Sequence, residues 1–118
     1  MEIVIGQYVR DKRMALYAKD RSYSLRQVAM RIGIEPSYLS KVERGERAPL
    51  SEEKIIALAE ELGEDKDVLL AMSNKVGQEI QEVIRKRPRL FAQLLRELKD
   101  APDHAVVSII REVRDGKW

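Results

Sequence analysis

Apolar residues recur along this chain in short stripes rather than long runs. Leu25, Val28, Ala29 and Ile32 come at steps of three and four, which is one face of a helix. The start of that helix is marked. The Ser24 hydroxyl can accept from free first-turn amides, and Gln27, three residues on, can reach back to the Ser24 amide. Tyr23 before the cap and Val28 at the fourth helical position have the spacing of a hydrophobic staple. Gly33 follows the last apolar residue, where a left-handed conformation costs least. Pro36, with its φ already fixed, opens a second helix whose inner face is Leu39 and Val42, and Gly45 ends it. The stretch Ser24 to Gly45 therefore reads as two short helices joined by a tight turn.

The same periodicity extends on both sides. Residues 5–18 form a first helix with Ile5, Val9, Met14, Leu16 and Tyr17 as its apolar members. The segment Pro49-Leu50-Ser51-Glu52-Glu53 opens a fourth, with Ser51 as cap and two carboxylates in the dipole-favoured first turn. Ile55, Ile56, Leu58, Ala59 and Leu62 make that helix buried on more than one side, and Gly63 closes it. Asp65 or Asp67 starts a fifth helix, Val68 to Met72. Beyond it, Val76, Ile80, Val83 and Ile84 mark an amphipathic helix. Pro88 starts another with Leu90, Phe91, Leu94, Leu95 and Leu98. Pro102 starts a third with Val106, Ile109, Ile110 and Val113. The pattern predicts an all-α chain: a five-helix domain over residues 1–72 and a helical extension of about three helices over residues 73–118. Each stripe of the extension is too large to leave wet, yet three short helices make a thin core. They are expected to pack on the first domain, on a second copy or on another protein, self-association being the favoured reading.

Composition narrows the class. With 118 residues the chain can bury one core plus an appendage. It has no cysteine, so neither a disulfide nor a thiolate metal site is available, which fits a reducing cytoplasm. Ile3-Val4-Ile5 is too short for a signal peptide, and nothing approaches the length of a membrane span, so a soluble intracellular protein is expected. Net charge is only +2, but its distribution is uneven. Residues 1–50 hold ten Lys/Arg against six Asp/Glu, residues 51–75 three against seven, and residues 76–118 nine against seven. The positive excess coincides with the helix pair, as a phosphate-binding face requires.

The outer side of the second short helix carries Ser37, Tyr38, Ser40, Lys41 and Arg44, all donors or cations, on an element small enough to enter a major groove about 12 Å wide. Taken alone, two helices and a glycine fit any small helical hairpin. The match becomes specific with Ser24-Leu25-Arg26-Gln27-Val28-Ala29, Gly33-Ile34 and Tyr38-Leu39-Ser40-Lys41-Val42-Glu43-Arg44-Gly45. These residues resemble the lambda-repressor/Cro-type helix-turn-helix family, with Ala29, Gly33, Leu39, Ser40, Glu43 and Gly45 in register together, over a span from about Ile5 to about Met72.

What the resemblance implies is a sequence-specific DNA-binding transcriptional regulator, a repressor acting as a homodimer on double-stranded DNA whose half-sites lie about 34 Å apart. The family's base-reading places fall on Pro36, Ser37 and Lys41, with Tyr38 and Ser40 beside them. Ser37, Tyr38 and Lys41 are the expected base contacts, Lys41 the one suited to guanine O6 and N7. For Tyr38, packing against a neighbouring helix is an equal alternative. Ser24, Arg26, Ser40, Arg44 and Arg47 are the expected phosphate contacts. An arginine of the first helix, Arg13 or failing that Arg10, should pair with Glu43; a solvated carboxylate is the alternative.

Three places depart from the family pattern. Lys19 to Tyr23 makes the first connection about five residues longer than usual. Either the first helix runs on or a basic loop bulges out, a plain surface loop being favoured over a phosphate contact by Lys19 and Arg21. Pro36 has no amide donor, and Glu35 would repel phosphate, so a solvated position at the helix start suits it better.

Enzymatic chemistry is not expected. His104 is the one histidine, and there is neither a thiol nor a glycine-rich phosphate loop. No catalytic residue, metal ligand or cofactor is assigned, and the acidic residues Glu60, Glu61, Glu64, Asp65 and Asp67 read as solvated helix ends. The reading from a different class is an antitoxin or adaptor whose helices in residues 73–118 hold another protein.

Overall fold

A computed structural model describes residues 5–46 and 50–116, and over them the regular structure is helical. In chain order the helices are α1 (Ile5–Lys19), α2 (Leu25–Ile32), α3 (Pro36–Glu43), α4 (Glu52–Leu62), α5 (Lys66–Met72), α6 (Gln78–Lys86), α7 (Pro88–Leu98) and α8 (Asp103–Asp115). A single 3-10 turn, Arg21–Tyr23, joins α1 to α2. The all-α expectation holds. The chain divides into two compact units, Met1–Gly77 and Gln78–Trp118.

Local chemistry accounts for most of the helix ends. Ser24 caps α2 by accepting from the Gln27 amide at 3.2 Å. The reciprocal half of the expected capping box is not made. The Ser24 amide instead donates to the Arg21 carbonyl at 3.2 Å, because the 3-10 turn occupies it first. At the other end Gly33 adopts φ +78°, letting its own amide donate to Met30 O and the Ile34 amide to Ala29 O, at 3.1 and 3.0 Å. Ser51 caps α4 through the Lys54 amide at 3.3 Å, with Glu52 and Glu53 in the first turn. Of the two candidates for the start of α5, Asp65 holds the cap position, accepting from Asp67 and Val68 amides.

In the first unit the apolar stripes converge. Val9 of α1, Val28, Ala29 and Ile32 of α2, Leu39 and Val42 of α3, Ile55, Leu58, Ala59 and Leu62 of α4, and Leu69 and Leu70 of α5 are all buried, with Leu50 ahead of α4 joining them. Two expected apolar members lie elsewhere: Met14 and Val68 are exposed. Both sit one position off the stripe that their neighbours Arg13 and Leu69 turn inward. Gly6 is buried where α1 crosses the end of α3. A Cβ there would fall on the Val42 carbonyl oxygen and lie 3.0 Å from that of Glu43. Glycine thus sets how closely the two backbones approach.

The first unit runs a few residues past α5. Asn74 takes φ +59° and Lys75 N donates to Leu70 O at 2.8 Å, closing the helix. Ser73 is buried with its hydroxyl on Leu69 O, and Gly77 lies against Asp67 and Leu70. Val76 accordingly precedes α6 rather than belonging to it.

The second unit is built differently. Pro88 occupies the first position of α7, as expected, and Pro102 the cap position before α8. α6 and α7 pack on each other, yet none of the described residues of α6, α7 or α8 is buried.

Candidate nucleic-acid interface

α3 turns Leu39, Val42 and Glu43 inward and leaves the opposite side for solvent. Along that side Ser37 and Arg44 are exposed, and Ser40 and Lys41 are half-buried at the flanks. Steps of three and four from Ser37 to Arg44 make these four one continuous stripe. Tyr38 is half-buried against the core cluster, so the packing alternative accounts for part of its surface. Pro36 occupies the first helical position, and exposed Glu35 at the cap makes no side-chain cap bond.

α3 is fixed in place by one buried ion pair. Arg13 Nε and Nη2 donate to the two carboxylate oxygens of Glu43 at 2.8 and 3.0 Å, and Nη1 donates to the Tyr23 carbonyl at 3.2 Å. Both residues are 6% exposed. One guanidinium therefore ties α1, the turn before α2 and the end of α3 together, and the two-pronged geometry satisfies both ions away from water. Arg13, rather than Arg10, is the partner of Glu43.

Arg10 has a different place. With Arg13, Leu25, Ser40, Glu43 and Arg44 it lines a cavity of about 250 Å³ between α1, the first residue of α2 and the end of α3. The pair Arg13–Glu43 is internally neutral, so the mouth is left with the Arg10 and Arg44 guanidinia and the Ser40 hydroxyl. Arg10 makes no ion pair among the described residues. Arg44 is bonded to the Glu46 carboxylate, both exposed, a pairing of the weak solvent-screened kind. α2 begins at this cavity, and its unpaired first-turn amides carry partial positive charge. Such a recess has the charge, donors and size for an oxyanion of phosphodiester type.

Of the residues singled out by sequence, Ser40 and Arg44 come together at this cavity, with Ser24 one residue before Leu25. Arg26 is exposed on the first turn of α2. Ser37 and Lys41 lie further along the open side of α3, and Arg47 lies outside the described residues. Arg10 is the addition, which the sequence offers only as the second candidate partner of Glu43.

Of the acidic residues expected as solvated helix ends, Glu60 and Asp65 are exposed, Asp65 as the cap of α5, whereas Glu61 and Glu64 tie helices together. Glu64 accepts from the Tyr8 hydroxyl at 2.9 Å and pairs with Lys12 at 3.3 Å, while Glu61 pairs with Arg31 at 2.7 Å. The Glu64 hydrogen bond, with burial second, raises the Tyr8 phenol above its ordinary value. Lys54 Nζ donates to Ile32 O at 3.0 Å, covering a free carbonyl at the end of α2. Among the described residues no group of three His, Cys, Asp or Glu side chains could hold a metal ion, and no helix is long and apolar enough to cross a membrane.

The profile of a family described as helix-turn-helix matches residues 5–69, more than half of the chain. No curated protein and no solved structure matches it. The matched span runs from the first residue of α1 to Leu69 of α5 and so includes α2 and α3. The chain belongs to the lambda-repressor/Cro-type helix-turn-helix family, whose members are DNA-binding transcriptional regulators.

Proposed function

We propose that the chain is a sequence-specific repressor that lays α3 in the major groove and binds paired half-sites as a homodimer. The observation that carries this is the open stripe Ser37–Ser40–Lys41–Arg44 running into the cationic cavity at the start of α2. In this reading Ser37, Tyr38 and Lys41 meet base edges, Lys41 donating to guanine O6 and N7. Ser24, Arg26, Ser40, Arg44 and Arg47 hold phosphates, and Arg10 joins them. Base contacts select sequence while phosphate contacts fix register, so the two groups separate by experiment.

Dimerisation is assigned to the helices of residues 73–118, because two-fold symmetry in the protein must match two half-sites one helical turn apart. A second reading, an antitoxin or adaptor that holds another protein through the same helices, draws on one observation: Leu90 is 63% and Val113 61% exposed, more apolar surface than a finished monomer leaves wet.

The test is a pair of substitutions read on sequences selected from random DNA. Lys41→Ala changes which operator is preferred, whereas Arg44→Ala weakens all sequences alike and flattens the salt dependence by roughly one unit of slope. Equal loss of discrimination from both substitutions contradicts the assignment. A full chain that stays monomeric in solution and on DNA contradicts the dimer.

A further inference from the structure

The long connection between α1 and α2 is neither a helix extension nor a loose loop. Asp20 Oδ1 accepts the Ser22 amide at 2.9 Å, the Tyr23 amide donates to Asp20 O at 3.1 Å and the Ser24 amide to Arg21 O at 3.2 Å. The 3-10 turn is thus fastened directly to the cap of α2. Within it the Arg21 guanidinium lies over the ring of Tyr17, 4.6 Å from its centre, and makes no ion pair among the described residues. The neighbouring cation Lys19 is exposed, and the one carboxylate in the segment, Asp20, is engaged by Ser22 of the turn.

Tyr17 is not on an arbitrary side of α1. Gly6, Arg10, Arg13 and Tyr17 follow at steps of four, three and four, so they share one face. That face meets the end of α3 through Gly6 and Arg13, and Arg10 on it lines the cationic cavity. The seven positions separating Tyr17 from Arg10 span about 10 Å along the helix. Arg21, stacked on Tyr17, therefore stands about two helical turns along α1 from Arg10 at the cavity. A DNA strand carries one charge per ~3.4 Å of axis, so a displacement of that length exceeds the spacing of neighbouring phosphates.

We propose that Arg21, held against Tyr17, clamps a DNA backbone phosphate outside the contacts of the helix-turn-helix itself, so that the inserted turn lengthens the footprint on the flank of each half-site. Stacking fixes the guanidinium plane while leaving its edge donors for the phosphate oxygens, so less side-chain freedom is lost on contact. The proposal rests on the DNA-binding reading given above.

The two are separable with the full chain, a selected operator, and two duplexes, one with long flanks and one trimmed to the half-sites. On the long duplex Arg21→Gln should lower the slope of log affinity against log salt by about 0.9, the value for one lost phosphate contact, with sequence preference unchanged. On the trimmed duplex the variant and the original chain should bind alike. Equal slopes on the long duplex, or an equal deficit on both duplexes, overturn the flank contact while leaving the DNA-binding reading intact. An unsubstituted chain that binds neither duplex overturns that reading, and the flank contact with it.

Discussion

Residues 5–72 and residues 78–115 are both made of short amphipathic helices, and they differ in where the apolar faces go. In the first unit, thirteen hydrophobic residues among those described are buried, from Val9 to Leu70, contributed by all five helices and by Leu50. In the second, Ile80, Val83, Leu90, Leu94, Leu95, Val107, Ile109, Ile110 and Val113 all remain exposed. Helix formation and core formation are therefore separate requirements. Helices this short are marginal alone and gain most of their stability from the face they bury. The first unit meets that need within the chain. The second has stripes of the same period with none of their described residues buried.

The contrast can be broken, starting with the largest effect. Arg13→Ala leaves Glu43 as an uncompensated buried carboxylate and should cost about 3–5 kcal/mol in urea unfolding, whereas replacing both ions by apolar residues of similar volume should come close to neutral. Leu58→Ala should cost about 2–5 kcal/mol, since its side chain is 1% exposed and fills the centre of the core. The counterpart Ile110→Ala, at 55% exposure, should change the stability of dilute protein by less than about 0.5 kcal/mol. Comparable losses from Leu58→Ala and Ile110→Ala would abolish the distinction between the units. Gly6→Ala should cost about 1–3 kcal/mol by forcing α1 away from the Val42 carbonyl, measurable as a lowered melting temperature.

The smallest effect is a pH dependence confined to the first unit. The neutral Tyr8 phenol donates to Glu64, and its folded value is raised above the ordinary 10.0. Its stabilisation is present in full below pH 10.0 and is lost as pH rises through the raised value. Ultraviolet titration should find a phenol ionising above the ordinary 10.0, and Tyr8→Phe should remove it and flatten the alkaline limb of the stability curve.

The sequence disclosed what is decided locally. Ser24, Gly33, Ser51, Gly63 and Pro88 mark helix ends because caps and turns depend on neighbours within a few residues, and they stand where expected. Arg13 with Glu43 was reached only through the family resemblance, for no spacing rule links residues thirty positions apart. Nothing local revealed Gly6, whose role is set by the carbonyls of another helix, nor Lys54 on the end of α2, nor Glu61 and Glu64 as cross-ties. The Gln27 half of the capping box failed because a turn outside the helix had already taken the amide. Val76 stands at helical spacing from Ile80, yet the chain around it still packs on α5.

The central claim is that the open side of α3, with the start of α2, is the surface that meets DNA. Amide chemical shifts of the isotopically labelled full chain, followed while a selected duplex is added, test it most directly. Shifts concentrated at Ser24–Arg26 and Ser37–Arg44, with Glu60–Asp67 nearly unmoved, are the expected result. Shifts confined to α6, α7 and α8, or none at saturating duplex, would contradict it.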